Sequence, residues 1–343
     1  VSFFTGSLTP FQLDWVDPRP LFPSPPTDRA IRKPVLADDL QSGPLPRVAW
    51  FQGSNAIKQA PASAATARAL AGIRFKVAVE VRLSETASMC DLVLPAASFL
   101  EFEDVRGSFG TPWVGHMAPV APPAGDSRPE PDIYACLARR LGLEHHYLEG
   151  GGPEGWLRRA LLPLAGRGVT LEVLRERGGI VATGDNAYPE LPFSEGRFAT
   201  PDGRFRFLGH EDFQRYLRLR DEWQSEGCYP LQLITPKAPG RINSHPDTDA
   251  RDGPCPPVAR VHPQHVPAKA VEGETALLLT RLGQIRVRLL RDPAMKPGVV
   301  VVEQGGRVPD AIGINALIPA TLSEDGEGAC YYEARCRLEA SPD

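Results

Sequence analysis

Polar residues fall at several points of this chain where ligand donors are expected. Gly53, Ser54 and Asn55 follow a short apolar run, Val48 to Phe51. Glu80 lies near the end of the β-branched run FKVAVEV (75–81), and Ser84-Glu85-Thr86 opens the phrase SETASMCD. If the two runs are parallel strands, these residues lie beyond carboxyl ends, where open α/β sheets bind ligands. A helix starting at Ser84 would add free N–H groups and a positive dipole end, suited to an anion. Singly, Ser84 is an ordinary helix cap and Asn55 an ordinary turn former. Side by side on neighbouring strand ends they make a ligand edge. A further polar stretch is LITPKAPGRINSHPDT (233–248), where Thr235, Lys237, Arg241, Asn243, Ser244 and His245 share one loop. Two cations beside amide, hydroxyl and imidazole groups can hold a pyrophosphate and a polar heterocycle, though a solvated loop would read the same way.

Other chemistry is not signalled. No GxGxxG follows a strand, and neither GxxxxGK[ST] nor GxSxG occurs. His262 and His265 are separated by Pro263 with no acid beside them, which suits strand-end histidines better than metal ligands. Glu101, Glu103 and Asp104 read as a solvated face. Six cysteines are scattered without a CxxC, so no zinc or iron–sulfur site is expected within the chain, and a reducing, cytoplasmic setting is favoured. No residue presents itself as a nucleophile, general base or metal ligand.

These residues need elements to position them. With 343 residues and 23% charged residues, the chain should fold into more than one soluble domain. A net charge of -4 without a basic run gives no footprint for nucleic acid, and no apolar stretch approaches the ~20 residues of a membrane span. Residues 1–45 are proline-rich and read as an irregular connection with a truncated start. Residues 46–228 alternate strand and helix, as a parallel α/β layer does. Helices are expected at 62–73, 130–142, 153–165 and 169–178, the second with Ile133, Leu137 and Leu141 on one face. Residues 102–127 read as loop, and FATPDGRFRFL (198–208) as a hairpin. From 229 to 343, short strands at 229–237, 258–263, 275–290, 297–305 and 331–339 suggest a small all-β barrel.

Taken in order, the phrases of the chain resemble the C-terminal half of the molybdopterin oxidoreductases of the dimethyl sulfoxide reductase type. GSNA (53–56) is similar to the family's turn after a strand, and SETASMCDLVLPAASFLE (84–101) to its next phrase. PPAGDSRPEPDIYACLARRLG (122–142) and FATPDGRFRF (198–207) follow. In the barrel, Thr235-Pro236-Lys237, Asn243-Ser244, the stretch 258–305 and INALIPATLSEDGEGACYYEARCRLE (314–339) complete the likeness. Departures are Ala56 for the usual Pro, Glu80 for Asp, Ser84 for Thr, Cys90 for Ala, and HPDTDARDG (245–253) after Asn-Ser.

The resemblance implies a partial Rossmann-like cofactor domain followed by a double-psi β-barrel that binds the dinucleotide arms of bis-molybdopterin guanine dinucleotide. Gly53, Ser54, Asn55, Glu80, Ser84, Glu85 and Thr86 would line one arm. Thr235, Lys237, Asn243, Ser244 and Asn315 would bind the cofactor from the barrel. The cofactor would perform two-electron redox chemistry at molybdenum, with the protein supplying binding and orientation. The metal ligand and a [4Fe–4S] cluster would belong to the N-terminal half of the same enzyme, so the fragment alone would be inactive. Electrons would pass through a partner subunit, and the substrate would be a small molecule. The alternative is a non-catalytic split or remnant subunit of a larger redox complex. An ordinary nucleotide-binding dehydrogenase is disfavoured by the missing glycine fingerprint.

Overall fold

In the computed structural model the described residues are 29, 31–107, 113–144, 151–178, 180–182, 193, 195–224, 227–239, 244, 256–268, 273–305, 313–323 and 327–341. Asn243, Arg241 and His245 lie outside them.

The run VAWFQ forms β1 (Val48–Gln52) and FKVAVE forms β2 (Phe75–Glu80). They pair in parallel, from Val48 opposite Phe75 to Gln52 opposite Val79. Parallel pairing needs a crossover, and two helices supply it: α2 (Ala56–Gln59) and α3 (Ser63–Ala71). Alanines and Leu70 suit α3 to a helix, and Gly72 follows its end. After β2, α4 (Glu85–Ser88) leads into β3 (Leu92–Pro95), giving the order β1-β2-β3. Ala49 and Phe51 of β1 face a core of Leu40, Ile57, Leu70 and Ile73.

Two expectations fail here. A helix, α1 (Leu36–Gln41), interrupts the stretch read as irregular. Pro34 pre-sets the turn before it, Asp38 and Asp39 sit in its first turn, and Arg32 pairs with Asp39 at 2.8 Å. The apolar run Leu92 to Leu94 suggests a buried strand, yet it forms an edge, and Leu92 is 43% exposed.

The chain divides into two compact units, Leu94–Phe207 and Arg29–Val93 with Leu208–Asp343. Within the first, β4 (Asp104–Gly107), β5 (Trp113–Met117) and β6 (Ile180–Ala182) form a three-stranded antiparallel sheet. Its first two strands lie where the sequence reads as loop, because they are short and poor in β-branched residues. Three helices accompany it: α5 (Glu130–Leu141), α6 (Gly152–Ala165) and α7 (Leu171–Arg177). Val114, Leu161, Leu164, Val169, Leu171 and Leu174 make its core. Thr170 caps α7 as its position suggests, its hydroxyl accepting from Val173 N at 3.3 Å. Helix α5 reverses the expected face: Leu137 and Leu141 are exposed, while Ala135 and Ala138 are buried. The expected hairpin at 198–208 is a turn without strands. Phe198 N donates to Gly203 O, and Phe198, Phe205 and Phe207 pack edge-on instead of pairing backbones.

In the second unit a helix, α8 (His210–Gln224), precedes six strands: β7 (Leu231–Ile234), β8 (Val258–Val261), β9 (Thr275–Thr280), β10 (Gly283–Arg291), β11 (Val299–Val302) and β12 (Ala334–Ala340). They close in the order β10-β8-β11-β7-β12-β9, which removes every free sheet edge. β8 with β10 and β7 with β11 are parallel; the other neighbours are antiparallel. Alternate residues point inward, so Leu233, Leu278, Ile285, Val287, Leu289 and Val300 are buried. Among the described residues no helix is long and apolar enough to cross a membrane.

Leu233→Ala should destabilise the barrel by about 2–5 kcal/mol through cavity formation. Leu137→Gln, on the open face of α5, should stay within about 0.5 kcal/mol. Chemical denaturation of both variants checks this pair.

Candidate functional site

Asn55 and Thr86 bring the first turns of α2 and α4 together. Asn55 Oδ1 accepts from Thr86 N at 3.2 Å and from the Thr86 hydroxyl at 3.0 Å. Thr86 Oγ1 in turn accepts from Ile57 N, the second residue of α2, at 3.0 Å. Each residue therefore caps the other's helix, satisfying N–H groups that short helices leave without internal partners. Thr86 is fully buried and Asn55 nearly so. Asn55 Nδ2 donates to Glu85 Oε2 at 2.6 Å, and Glu85 Oε1 receives the Lys58 ammonium at 2.7 Å. Burial alone would push Glu85 up, but its bonds to Lys58 and Asn55 outweigh that and hold it below the ordinary carboxylate range. Ser84 caps α4 at Ala87 N, 3.2 Å.

The other end of α2 is held from the barrel side of the same unit. Asn315 Nδ2 donates to Lys58 O at 2.9 Å and Gln59 O at 3.0 Å, and the Tyr331 hydroxyl donates to Gln59 O at 2.9 Å. These bonds satisfy carbonyls that the end of a helix leaves open. The Gln59 side chain reaches Lys33 Nζ at 2.9 Å and Ser244 Oγ at 3.3 Å.

Around α2 lies a pocket of about 460 Å³. Lys33, Lys58 and Lys237 line it together with Ser244, Asn315 and Tyr331. No carboxylate stands among its described lining residues; Glu85 pairs with Lys58 from behind. Positive charge with amide and hydroxyl groups suits an anionic, phosphate-bearing ligand.

The residues expected from the sequence divide accordingly. Lys237, Ser244 and Asn315 line the pocket, and Asn55, Glu85 and Thr86 form the network behind Lys58. Thr235 is buried beside the wall, with its carbonyl accepting from Gln304 Nε2 at 3.0 Å. Gly53, Ser54, Glu80 and Ser84 do not line this pocket. Gly53 has φ +51°, a conformation that disfavours a side chain, and open space where a Cβ would stand. Sequence reasoning missed Lys33, Lys58, Gln59 and Tyr331. The available signal was Lys58 three residues after Asn55, one helical turn on.

Polar clusters outside the pocket have structural partners. Glu103, read as solvated, accepts from Arg175 at 2.6 and 2.5 Å and bonds His116 at 2.8 Å. The Arg175 bonds hold its carboxyl down at about 2. Glu101 accepts from Ser98 N at 2.7 Å and Ala124 N at 3.2 Å. His265 Nε2 accepts from Gly298 N at 2.8 Å, and His262 Nδ1 from Gln264 N at 3.3 Å. Cys336 is buried, which pushes its thiol up to about 12. Among the described residues no cluster of three metal-ligating side chains occurs.

An α/β layer and a closed six-stranded barrel thus stand beside a cationic pocket whose lining suits an anionic ligand. Known proteins sharpen this. Residues 36–140 match the model of the molybdopterin oxidoreductase family. The dimethyl sulfoxide/trimethylamine N-oxide reductase of Rhodobacter capsulatus is 23% identical over 285 residues, covering 71% of this chain and 33% of that protein. The menaquinone reductase, molybdopterin-binding-like subunit of Nitratidesulfovibrio vulgaris is 34% identical over 125 residues, 33% of this chain and 18% of that protein. The structure of acetylene hydratase from Pelobacter acetylenicus superposes with TM-score 0.63 at 20% identity, over 89% of this chain and 46% of that one. The chain thus carries a match to the molybdopterin oxidoreductase family over residues 36–140 and is similar over most of its length to reductases of the dimethyl sulfoxide type. It spans less than half the length of the curated relatives it matches over most of its own extent.

Thr86→Val removes the hydroxyl that serves both caps and leaves Ile57 N without its acceptor. It should cost about 1–3 kcal/mol in urea unfolding. Because the folded state depresses Glu85, its stabilisation is present above the ordinary glutamate range and is lost as pH falls through the depressed value. Glu85→Gln should flatten that acid-side part of the stability–pH curve.

Proposed function

We propose that this chain forms part of a molybdenum-dependent oxidoreductase and that its pocket holds a phosphate-bearing guanine dinucleotide arm of bis-molybdopterin guanine dinucleotide. The observation that carries this reading is a pocket wall with Lys33, Lys58 and Lys237 and no lining carboxylate among the described residues, in a chain with this family match. When bound, the cofactor supplies two-electron redox chemistry at its metal. The chain's own residues bind and orient. Lys237 and Lys33 bring positive charge to the diphosphate, Ser244 and Gln59 offer hydroxyl and amide contacts, and Tyr332 offers a half-exposed ring to the base. Asn243 belongs to the same loop in this reading. Asn315 acts by fixing α2, since its amide donors go to Lys58 O and Gln59 O.

A second arm would lie along Gly53, Ser54, Glu80 and Ser84. Asn55, Glu85 and Thr86 frame that edge, and the backbone at Gly53 is open to close approach. We read residues 46–228 as a Rossmann-like domain in part and 229–343 as a double-psi barrel. The mixture of parallel and antiparallel neighbours in the barrel supports the second assignment. The metal ligand and a [4Fe–4S] cluster would come from an N-terminal half, with an electron-transfer subunit and a small-molecule substrate as partners. A reducing, cytoplasmic setting accords with the free thiols of Cys90, Cys136 and Cys336. A second reading, a subunit that keeps the fold without the metal, is favoured by the likeness to a molybdopterin-binding-like subunit.

The test is molybdenum and pterin analysis of the complete gene product purified from a molybdenum-replete host. Both should copurify, and Lys237→Ala should lower their occupancy. Absence of molybdenum and pterin from the wild type overturns the catalytic reading and leaves the subunit reading.

A further inference from the structure

Lys58 differs in kind from the other pocket cations. Lys33 and Lys237 are exposed, whereas the Lys58 side chain is 4% exposed and still lines the pocket. An ammonium carries three donors, and the Glu85 carboxylate takes one of them at 2.7 Å. Among the described residues no other partner meets the Lys58 ammonium. A buried cation with two donors unmet at a pocket wall asks for an acceptor, because burying such a group without partners is costly.

Its position is also determined from every side. Lys58 N donates to Asn55 O at 3.1 Å, and Lys58 O accepts from Asn315. Asn55 and Lys58 converge on the same Glu85 carboxylate. A surface lysine would lose considerable rotamer freedom on meeting a ligand; here that freedom is already removed.

We infer that Lys58 is the specificity-determining cation of the pocket, meeting a phosphate oxygen of the ligand directly, with Glu85 and Asn55 as its positioning residues. This rests on the phosphate-arm reading and adds the residue that reads the phosphate. The ligand class is a diphosphate. A compact ammonium suits a phosphate oxygen as a point charge, and a diphosphate can meet the buried lysine and an exposed one together. The two kinds of lysine should answer differently to salt. Exposed charges are screened at high ionic strength, and a charge in a low-dielectric wall is screened much less.

The experiment titrates inorganic pyrophosphate into the full 343-residue chain by calorimetry, at about 50 mM and about 500 mM salt. The proteins are wild type, Lys58→Met and Lys237→Met. Lys58→Met should weaken binding at least about tenfold at both salt concentrations, while the Lys237→Met defect should shrink at high salt. Because Lys58→Met leaves the Glu85 carboxylate without its cation, the neutral pair Lys58→Met/Glu85→Gln is measured beside it, with thermal midpoints to confirm folding. If Lys58 variants bind as the wild type does while Lys237→Met is weakened, Lys58 has no ligand role and the phosphate pocket survives. If the wild type binds no pyrophosphate at either salt, the phosphate reading falls and the Lys58 assignment with it.

Discussion

The Thr86 hydroxyl stands between two helix N-termini, donating to Asn55 Oδ1 and accepting from Ile57 N. Each helix it serves is only four residues long, too short to be stable by its own hydrogen bonds. Their first N–H groups need outside acceptors, and each helix supplies the other's. The shared network then holds Glu85 beside Lys58 and delivers α2 to the barrel side with its carbonyls toward Asn315 and Tyr331. Remove the pair, and both ends of the pocket wall lose their reference. The Lys58–Glu85 pair and the start of α2 are tied to that buried contact.

The electrostatics follow from this placement. An ammonium this buried carries a large desolvation cost. Glu85 offsets that cost by supplying a carboxylate at 2.7 Å, itself oriented by Asn55 Nδ2 at 2.6 Å. Thus one charge is fixed and compensated while two exposed lysines, Lys33 and Lys237, contribute long-range attraction. Long-range attraction gathers anions generally; a fixed buried ammonium discriminates among them by geometry.

Much of the fold was legible. Helix α3, the parallel pair β1 and β2, the cap at Thr170 and the strands of the barrel follow from alanine content, β-branched runs and alternation. What escaped had weak local signals. β4 and β5 are four- and five-residue strands whose pairing, Asp104 opposite Met117, is not written in either segment alone. Helix α5 buries alanines and exposes leucines, the reverse of what its apolar period suggests. At the site, Asn55, Glu85 and Thr86 stood out by their places beyond strand ends as well as by the family resemblance, and Asn315 by the resemblance alone. Their bonds to one another and to α2 could not be seen, because their partners lie 27 to 257 residues away. Glu103 looked solvated for the same reason: Arg175 is 72 residues on.

Lys58 shows how long-range hydrogen bonding builds the pocket wall. In the sequence it is one lysine in the tetrapeptide AIKQ, with no local sign of a buried ammonium. Its backbone is held by Asn315 and Tyr331, which bond the carbonyls of Lys58 and Gln59 from more than 250 positions downstream. The 3-10 turn Ile314–Leu317 and the turn before β12, which carry those residues to α2, are therefore part of the wall, although neither residue needs to touch the ligand by its donor groups. In our proposal the polar phrases of the chain act at two depths: Lys237 and Ser244 face the ligand, and Asn55, Thr86 and Asn315 hold in place the helix that faces it beside them. Hydrogen bonds whose donors are already satisfied cannot be offered again. The affinity of the pocket should thus reside in its lysines, and the saturated amides should set where the buried one points.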